Sequence, residues 1–502
     1  MSRYRPWWLI AGPILFLAVA SGAGWFPELS AQARYVLAAL LWMACWWMSE
    51  AVPLAATALL PLVLFPLTGV MAPGVAARAY GHEIIFLFLG GFLVAGAVES
   101  SGLHRRLALH LVAATGTSPG RMVGGFMIAS AGLSMWISNS ATAIMMLPVA
   151  LSVADRMRRD QGPGSTVENF EKALLLGIAY GASIGGVATL IGTPPNLVLA
   201  ASVEQLSGES LDFARWLMVG LPLVALLLPL AWLYLTRWLF VFPTQPSEAA
   251  GSLVRAELDR LGRASREEKV VLAIFVAMAC CWLCRSSKEI GPLTLPGLDL
   301  LMPGLKDSTI AIAAAVLCFV VPSGKGQWRP VLTWEVSSRV PWGVIILFGG
   351  GLCLAQGVNE SGLALAFSQL LAQGATSPWV TIALVVAGTV VLTEFTSNTA
   401  TAALLMPLLA TAAVGAGHHP LGYMIPGAVA CSFAFCLPVA TPPNAIVYGC
   451  GRLSMGDMLR AGLLMNLLAY LVWMLLFAFV ALPLLGIDLY QPPNWVPTTG
   501  AP

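Results

Sequence analysis

Thirteen predominantly apolar segments follow one another along the chain, at about 7–27, 32–47, 51–70, 83–112, 122–156, 170–205, 212–236, 269–286, 309–322, 342–373, 379–413, 422–450 and 461–486. Most are near the ~20 residues that a helix needs to cross a hydrocarbon core of about 30 Å. Two of them, 122–156 and 379–413, are too long for one crossing and carry Ser-Asn at their middle. Unpaired backbone in hydrocarbon costs several kcal/mol per group, so each long run is read as a re-entrant hairpin entering and leaving on one side. The pattern predicts an all-α polytopic membrane protein with eleven transmembrane helices and two re-entrant hairpins.

Basic residues test that count, because cytoplasmic loops carry an excess of Lys and Arg. With Arg3 and Arg5 inside, four spans bring Arg105 and Arg106 inside. Arg121, Arg156, Arg158 and Arg159 then flank the first hairpin on that same side. Two more spans place the linker 237–268 inside, with Arg237, Arg255, Arg260, Arg263 and Arg266. After a further pair come Lys325, Arg329 and Arg339. The second hairpin opens outside, where its flanks ATSP and AGHHP hold no Lys or Arg, and Arg452 and Arg460 return inside. The N-terminus is therefore expected in the cytoplasm and the C-terminus outside. Counting either long segment as a full span inverts everything downstream.

The chain also repeats itself. IIFLFLGGFLVAGAVESSGL (84–103) matches VIILFGGGLCLAQGVNESGL (344–363), SNSATAIMMLPVA (138–150) matches SNTATAALLMPLLA (397–410), and TPPN recurs at 193–196 and 441–444. By the count above, the two copies enter from opposite sides, the inverted repeat with which secondary transporters build two alternating faces around one midplane site. The expected division is N-terminal scaffold helices (1–82), a first repeat (83–236, hairpin 122–156), a cytoplasmic linker (237–268) and connecting scaffold helices (269–341). A second repeat (342–486, hairpin 379–413) and an external tail (487–502) complete it. The mixed charges of 244–268 suggest a surface helix within the linker.

Composition agrees. Of 502 residues, 58% are hydrophobic and 10% charged, against about 25% charged in soluble domains. Net charge is +2 with no basic tract, which argues against nucleic acid. The nine Cys fall mostly inside apolar runs, and the Cys281-x-x-Cys284 pair has no second pair at metal spacing, so packing explains them. The start, MSRYRPWWLIAGPILFLAVASGAGW, has the layout of a signal peptide, but with so many spans following it is read as a retained first helix.

Candidate chemistry lies where helices must break: at Ser138-Asn139-Ser140 and Ser397-Asn398-Thr399, and at Gly192-Thr193-Pro194-Pro195-Asn196 and Ala440-Thr441-Pro442-Pro443-Asn444. Tandem Pro removes two donors and restrains the residue before it, which leaves preceding carbonyls available as ligands. Those carbonyls, with hydroxyl and amide oxygens, suit a hard monovalent cation. The hairpin tips supply free N–H groups, hydroxyls and a positive dipole end for an anion. No Lys or Arg lies in these motifs, so a dianion would bind far better beside co-bound cations. No HExxH, GxSxG or paired intramembrane carboxylate motif points to an enzyme.

These motifs, together with WWMSEAVPLAATALLPLVLFP (46–66) and the FLGGF block, resemble the divalent anion/sodium symporter family across nearly the whole chain. The resemblance implies a homodimer in the plasma membrane that carries dicarboxylates, citrate or sulfate with sodium, each protomer moving a transport domain like an elevator against a scaffold. It implies a first sodium site at Ser134, Ser138, Asn139 and Gly192, and a second at Thr393, Ser397, Asn398 and Ala440. Substrate carboxylates would meet Asn139, Ser140, Thr193, Ser397, Asn398, Thr399, Thr441 and Pro442. Ser140 departs from the family's Thr, keeping the hydroxyl and losing a methyl. A C4-dicarboxylate symporter is the leading reading; a sodium-independent exchanger and a sulfate carrier are the alternatives on the same architecture. Glu50 and Glu394 read as structural hydrogen-bonding residues, and His82 and His104 as interfacial. GASIGG (181–186) reads as a close-packing stripe, and Trp7, Trp8, Trp46, Trp47, Trp342 and Trp495 as interface anchors.

Overall fold

The computed structural model describes residues 6–22, 29–161, 164–208, 210–242, 248–290, 293–324, 328–364, 366, 377–493 and 495. Arg3, Arg5, Lys325, Ala375 and Thr376 of the second hairpin's flank, the end of segment 342–373 and the tail beyond 495 lie outside them. The described chain is helical except for a small antiparallel pair, Lys288–Ile290 with Leu293–Leu295, between the helices Arg266–Cys284 and Asp307–Val320. The all-α expectation stands, since every other described element is a helix. The pair's strands, Lys-Glu-Ile and Leu-Thr-Leu, are three residues each, too short a run to stand out in sequence.

Five helical stretches among the described residues are long and apolar enough to cross a membrane: Pro73–Ser101, Phe213–Leu239, Trp342–Glu360, Asn398–Gly415 and Met455–Leu485. Trp7–Ser21, Leu54–Leu67, Asp307–Val320 and Pro378–Thr393 are apolar but shorter. Two apolar segments divide more than their hydropathy suggested. Segment 83–112 breaks at Gly102, whose φ of 82° suits glycine, into Glu83–Ser101 and Leu103–Ala114. Segment 51–70 becomes the short helices Leu54–Thr57 and Leu60–Leu67, each begun at or next to a proline that cannot extend a preceding helix.

The first long segment consists of two helices, Pro119–Ser134 and Asn139–Gln161, and the second of Pro378–Thr393 and Asn398–Gly415. Each pair meets at its Ser-Asn tip, and its arms pack against one another. Each is followed by a helix broken at TPPN: Ser165–Gly186 then Pro194–Ser207, and Pro420–Ala430 then Pro442–Gly449. A long helix closes each set, Phe213–Leu233 and Met455–Leu476. The same order of elements thus appears twice, and Thr193 and Thr441 share nearly one conformation (φ −141°, ψ 138° and φ −139°, ψ 149°).

The first hairpin packs intimately on the broken helix after it, and GASIGG is the reason. A Cβ at Gly181 would lie 2.7 Å from Met127 O, and one at Gly185 would collide with the Ala131 backbone. Ion pairs join the same elements at one end: Arg452 reaches Asp155 (3.1 Å) and Glu171 (3.2 Å), and Arg158 reaches Glu171 (2.6 Å). The linker forms the helix Glu248–Leu261, as its charge pattern suggested. Arg105 pairs with Glu257 and Arg106 with Glu268, both at 2.8 Å, which ties the linker to Leu103–Ala114. Trp7, Trp8 and Trp342 are exposed, as interface anchors are, but Trp47 is buried and donates to Leu54 O (3.2 Å).

Candidate functional site

Both tips and both TPPN breaks line one cavity of about 1140 Å³. Asn139, Ser140, Thr193, Ser397, Asn398, Thr399, Thr441 and Pro442, the eight residues expected to meet substrate, all reach its wall. Of the expected cation ligands, Ser138, Asn139, Gly192, Ser397, Asn398 and Ala440 line it too. Ser134 and Thr393 lie just behind, fully buried at the ends of the first arms. One wall continues to Glu50, Glu99, His104 and Arg339.

At the first tip the Ser134 hydroxyl donates to Asn139 Oδ1, which turns the amide across the break. Two glycines bring backbone oxygens to that amide. A Cβ on Gly186 would lie 2.7 Å from Asn139 Oδ1 and 3.1 Å from Gly192 O. A Cβ on Gly192 would lie 2.5 Å from Gly186 O and 2.9 Å from Ser134 O. The oxygens of Ser134, Asn139, Gly186 and Gly192 therefore crowd one small volume, a neutral donor set suited to a hard monovalent cation. Thr189 fixes the geometry: its hydroxyl donates to Met135 O (2.5 Å) and accepts from Gly192 N (3.0 Å).

The second tip repeats the amide contact with different supports. Thr393 Oγ1 lies 2.7 Å from Asn398 Oδ1 and 2.8 Å from Cys431 O. Glu394, 5% exposed, accepts from the backbone N–H groups of Phe435 (2.8 Å), Cys436 (2.9 Å) and Leu437 (3.0 Å), and from Asn466 Nδ2 (2.7 Å). This supports the structural hydrogen-bonding reading of Glu394.

The Asn of each TPPN turns back into its own break instead of entering the cavity. Asn196 Nδ2 donates to Val187 O (3.1 Å) and Thr189 O (2.8 Å), and Asn444 Nδ2 to Ala434 O (3.1 Å) and Leu437 O (3.0 Å). Several carbonyls in each break ahead of the tandem Pro are thus satisfied internally, which narrows the expectation that they serve as ligands. Gly186, Thr189 and Asn466 were not singled out from sequence. The one available signal was GASIGG, whose last glycine faces the tip while the others serve packing.

Capping differs crosswise between the halves. Ser138 accepts from Ala141 N (3.2 Å), whereas Ser397 makes no cap bond. Thr193 makes none, whereas Thr441 accepts from Asn444 N (3.3 Å). Ser397 and Thr193, without cap bonds, are left with hydroxyls to offer a ligand in the cavity.

Broken helices paired about one cavity in an apolar helical protein are the arrangement of a secondary carrier. The sequence pattern of the sodium:sulfate symporter transmembrane region matches residues 7–487. A sodium-dependent dicarboxylate transporter (SdcS) of Staphylococcus saprophyticus is 42% identical over 499 residues, covering 96% of this chain and 93% of that protein. The SdcS of Staphylococcus aureus strain MW2 is 41% identical over 490 residues, covering 96% and 92%. Among solved structures, the YdaH transporter of Alcanivorax borkumensis superposes with a TM-score of 0.57 at 16% identity, covering 82% of this chain and 88% of that one. The likeness to YdaH concerns the fold alone. The chain belongs to the divalent anion/sodium symporter family, and it is a membrane transporter, not an enzyme.

Proposed function

We propose that this protein is a sodium-coupled symporter of small dicarboxylates, C4-dicarboxylates foremost, working by elevator-type alternating access. The observation that carries this is the convergence of both Ser-Asn tips and both TPPN breaks on one cavity. The SdcS relatives, named as sodium-dependent dicarboxylate transporters and similar over almost their whole length, support the substrate class and the coupling ion. Sodium would sit behind each tip, at Ser134, Ser138, Asn139 and Gly192 and at Thr393, Ser397, Asn398 and Ala440. The dianion would lie between the tips, its charge offset by the two cations.

In this reading the two tip-forming helix pairs are re-entrant hairpins of an inverted repeat, among eleven spans, in each protomer of a homodimer. Of the apolar helices that fall short of a full crossing, Pro378–Thr393 is a hairpin arm and Leu54–Leu67 a broken span, while Trp7–Ser21 and Asp307–Val320 count as short spans. The N-terminus is cytoplasmic and the C-terminus external. The cavity then opens toward the cytoplasm, because Glu99, His104 and Arg339 lie on that side of the charge count. The opposite side is held shut by the end of the first broken helix. There Glu204 lies 3.9 Å from Lys306, which also pairs with Glu83, and Gln205 donates to Leu352 O (3.1 Å).

The test is succinate uptake into proteoliposomes with and without a sodium gradient. Uptake should collapse without sodium, and Asn139→Ala and Asn398→Ala should each reduce it by more than about 100-fold, since each removes an amide at the heart of a tip. Undiminished uptake in potassium-only buffer on both sides would reject sodium coupling in favour of exchange. Sulfate uptake unaffected by excess succinate would reject the dicarboxylate.

A further inference from the structure

The two cation sites are unequal in charge, and one residue makes them so. Glu394 follows Thr393 directly, and its carboxylate reaches the backbone of residues 435–437 on the break that also contributes Cys431 and Ala440. Its carboxylate accepts from four N–H donors, three of them on Oε1, and the Cys436 thiol is a further hydrogen-bond partner. A carboxylic acid would need an acceptor for its proton, so the pattern is that of the charged form. Among the described residues no Lys or Arg pairs with Glu394. Glu171, the other buried carboxylate near the breaks, is matched by Arg158 and Arg452. In the first half the position aligned with Glu394 is Met135, which offers only its carbonyl, to Thr189.

A buried carboxylate held only by neutral donors keeps a large part of its desolvation cost, and a cation bound nearby offsets it. We propose that Glu394 is a positioning residue that gives the second cation site a full negative charge as its neighbour, so that this site loads sodium before the first. It also shapes that site, because its bonds to 435–437 fix the strand of backbone on which the second-half ligands sit. The Asn444 amide holds the same stretch through Ala434 O and Leu437 O. The first site, built from neutral oxygens alone, then fills at higher sodium or together with the dianion. This rests on the sodium-coupled reading of the two tips.

The experiment compares wild type with Glu394→Gln in proteoliposomes, reading uptake against sodium concentration at saturating succinate and against succinate at saturating sodium. Glutamine can keep the Oε1 acceptor and loses the charge. The sodium concentration for half-maximal uptake is expected to rise about tenfold, with the half-saturating succinate concentration at saturating sodium changed less than about threefold. A variant that melts at lower temperature but keeps its sodium dependence within about twofold overturns the proposal and leaves Glu394 a structural pin.

Should Glu394→Gln not be recovered folded, Thr393→Ala and Ser134→Ala test the same order with the carboxylate intact. Without dicarboxylate, the rise in melting temperature on adding low-millimolar sodium should survive Ser134→Ala and disappear in Thr393→Ala. Equal losses, or the reverse, overturn the order. Failure of the underlying reading looks different: wild-type uptake and melting are then both indifferent to sodium, and both proposals fall.

Discussion

The two tips make the same amide contact with different means. In the first half Ser134 meets Asn139, two glycines let backbone oxygens close on the amide, and a threonine hydroxyl links hairpin to break. In the second half Thr393 meets Asn398, the glycines are replaced by Ala434 and Ala440, and a carboxylate replaces the threonine link. One half is compact and neutral; the other has more bulk and carries charge. The proposed inverted repeat calls for a matching backbone path in the two halves, and at the breaks Thr193 and Thr441 do share nearly one conformation. It does not require equal ligand chemistry. The difference teaches that, in the proposed carrier, the repeat would set where ligands stand while each half would set its own affinity.

The largest effect expected from that difference comes at Gly192. Its Cβ-bearing counterpart is Ala440, yet a Cβ here would lie 2.5 Å from Gly186 O and 2.9 Å from Ser134 O, both part of the oxygen cluster. Gly192→Ala should cost at least about 30-fold in uptake and shift sodium activation to higher concentration, because neither neighbour is a movable side-chain end. Ala440→Gly in the other half should stay within about threefold. Sodium activation curves of the two variants make the comparison, and equal mild effects would show that the first half does not rely on its tight cluster.

Much of this site was legible in sequence, since breaks in apolar runs are rare and four of them in two matched pairs mark a centre. Tip and TPPN residues are named by motif, and all eight expected substrate contacts reach the cavity. The supports were harder to read. Thr189 and Glu394 lie in otherwise apolar stretches, and their roles depend on which backbone atoms the fold sets opposite them. Asn196 and Asn444 share the motif but turn away from the cavity to satisfy their own breaks. The same gap appears in the fold. Hydropathy marks the apolar stretch 83–112, but the turn at Gly102 rests on one positive φ that a smoothed pattern does not register. Gly186 lies in a stripe read as packing, and only its last member contacts the tip.

A middle-sized effect is expected at Thr189. Valine keeps its shape and removes both bonds, leaving Gly192 N and Met135 O without those partners inside the protein. Each lost bond to a buried backbone group costs on the order of 1–3 kcal/mol. Thr189→Val should lower the sodium-free melting temperature by several degrees and reduce uptake about tenfold. Its counterpart in the second half is Leu437, whose N–H is already held by Glu394. Leu437→Val, which removes no side-chain hydrogen bond, should change melting and uptake far less. Similar losses in both variants would mean that packing, not hydrogen bonding, sets the break.

The smallest effect concerns the tips themselves. Ser140 and Thr399 stand at equivalent places and both line the cavity, so the halves differ there by one methyl group. Ser140→Thr restores equality and adds one methyl to the cavity wall without changing the hydroxyl count. One methyl against a ligand discriminates by about 1–3 kcal/mol at most when it collides, and by much less when the ligand can shift. In a cavity of about 1140 Å³ the ligand has room to shift. Ser140→Thr should therefore leave succinate uptake within about twofold and weaken longer dicarboxylates, such as glutarate, by a few-fold more. Competition of unlabelled dicarboxylates of increasing length against labelled succinate measures this directly. A change confined to longer substrates would make Ser140 the place where the neutral half admits size, separate from the charge that Glu394 brings to the other. A uniform loss for every length would instead show that the added methyl disturbs the tip and not the ligand.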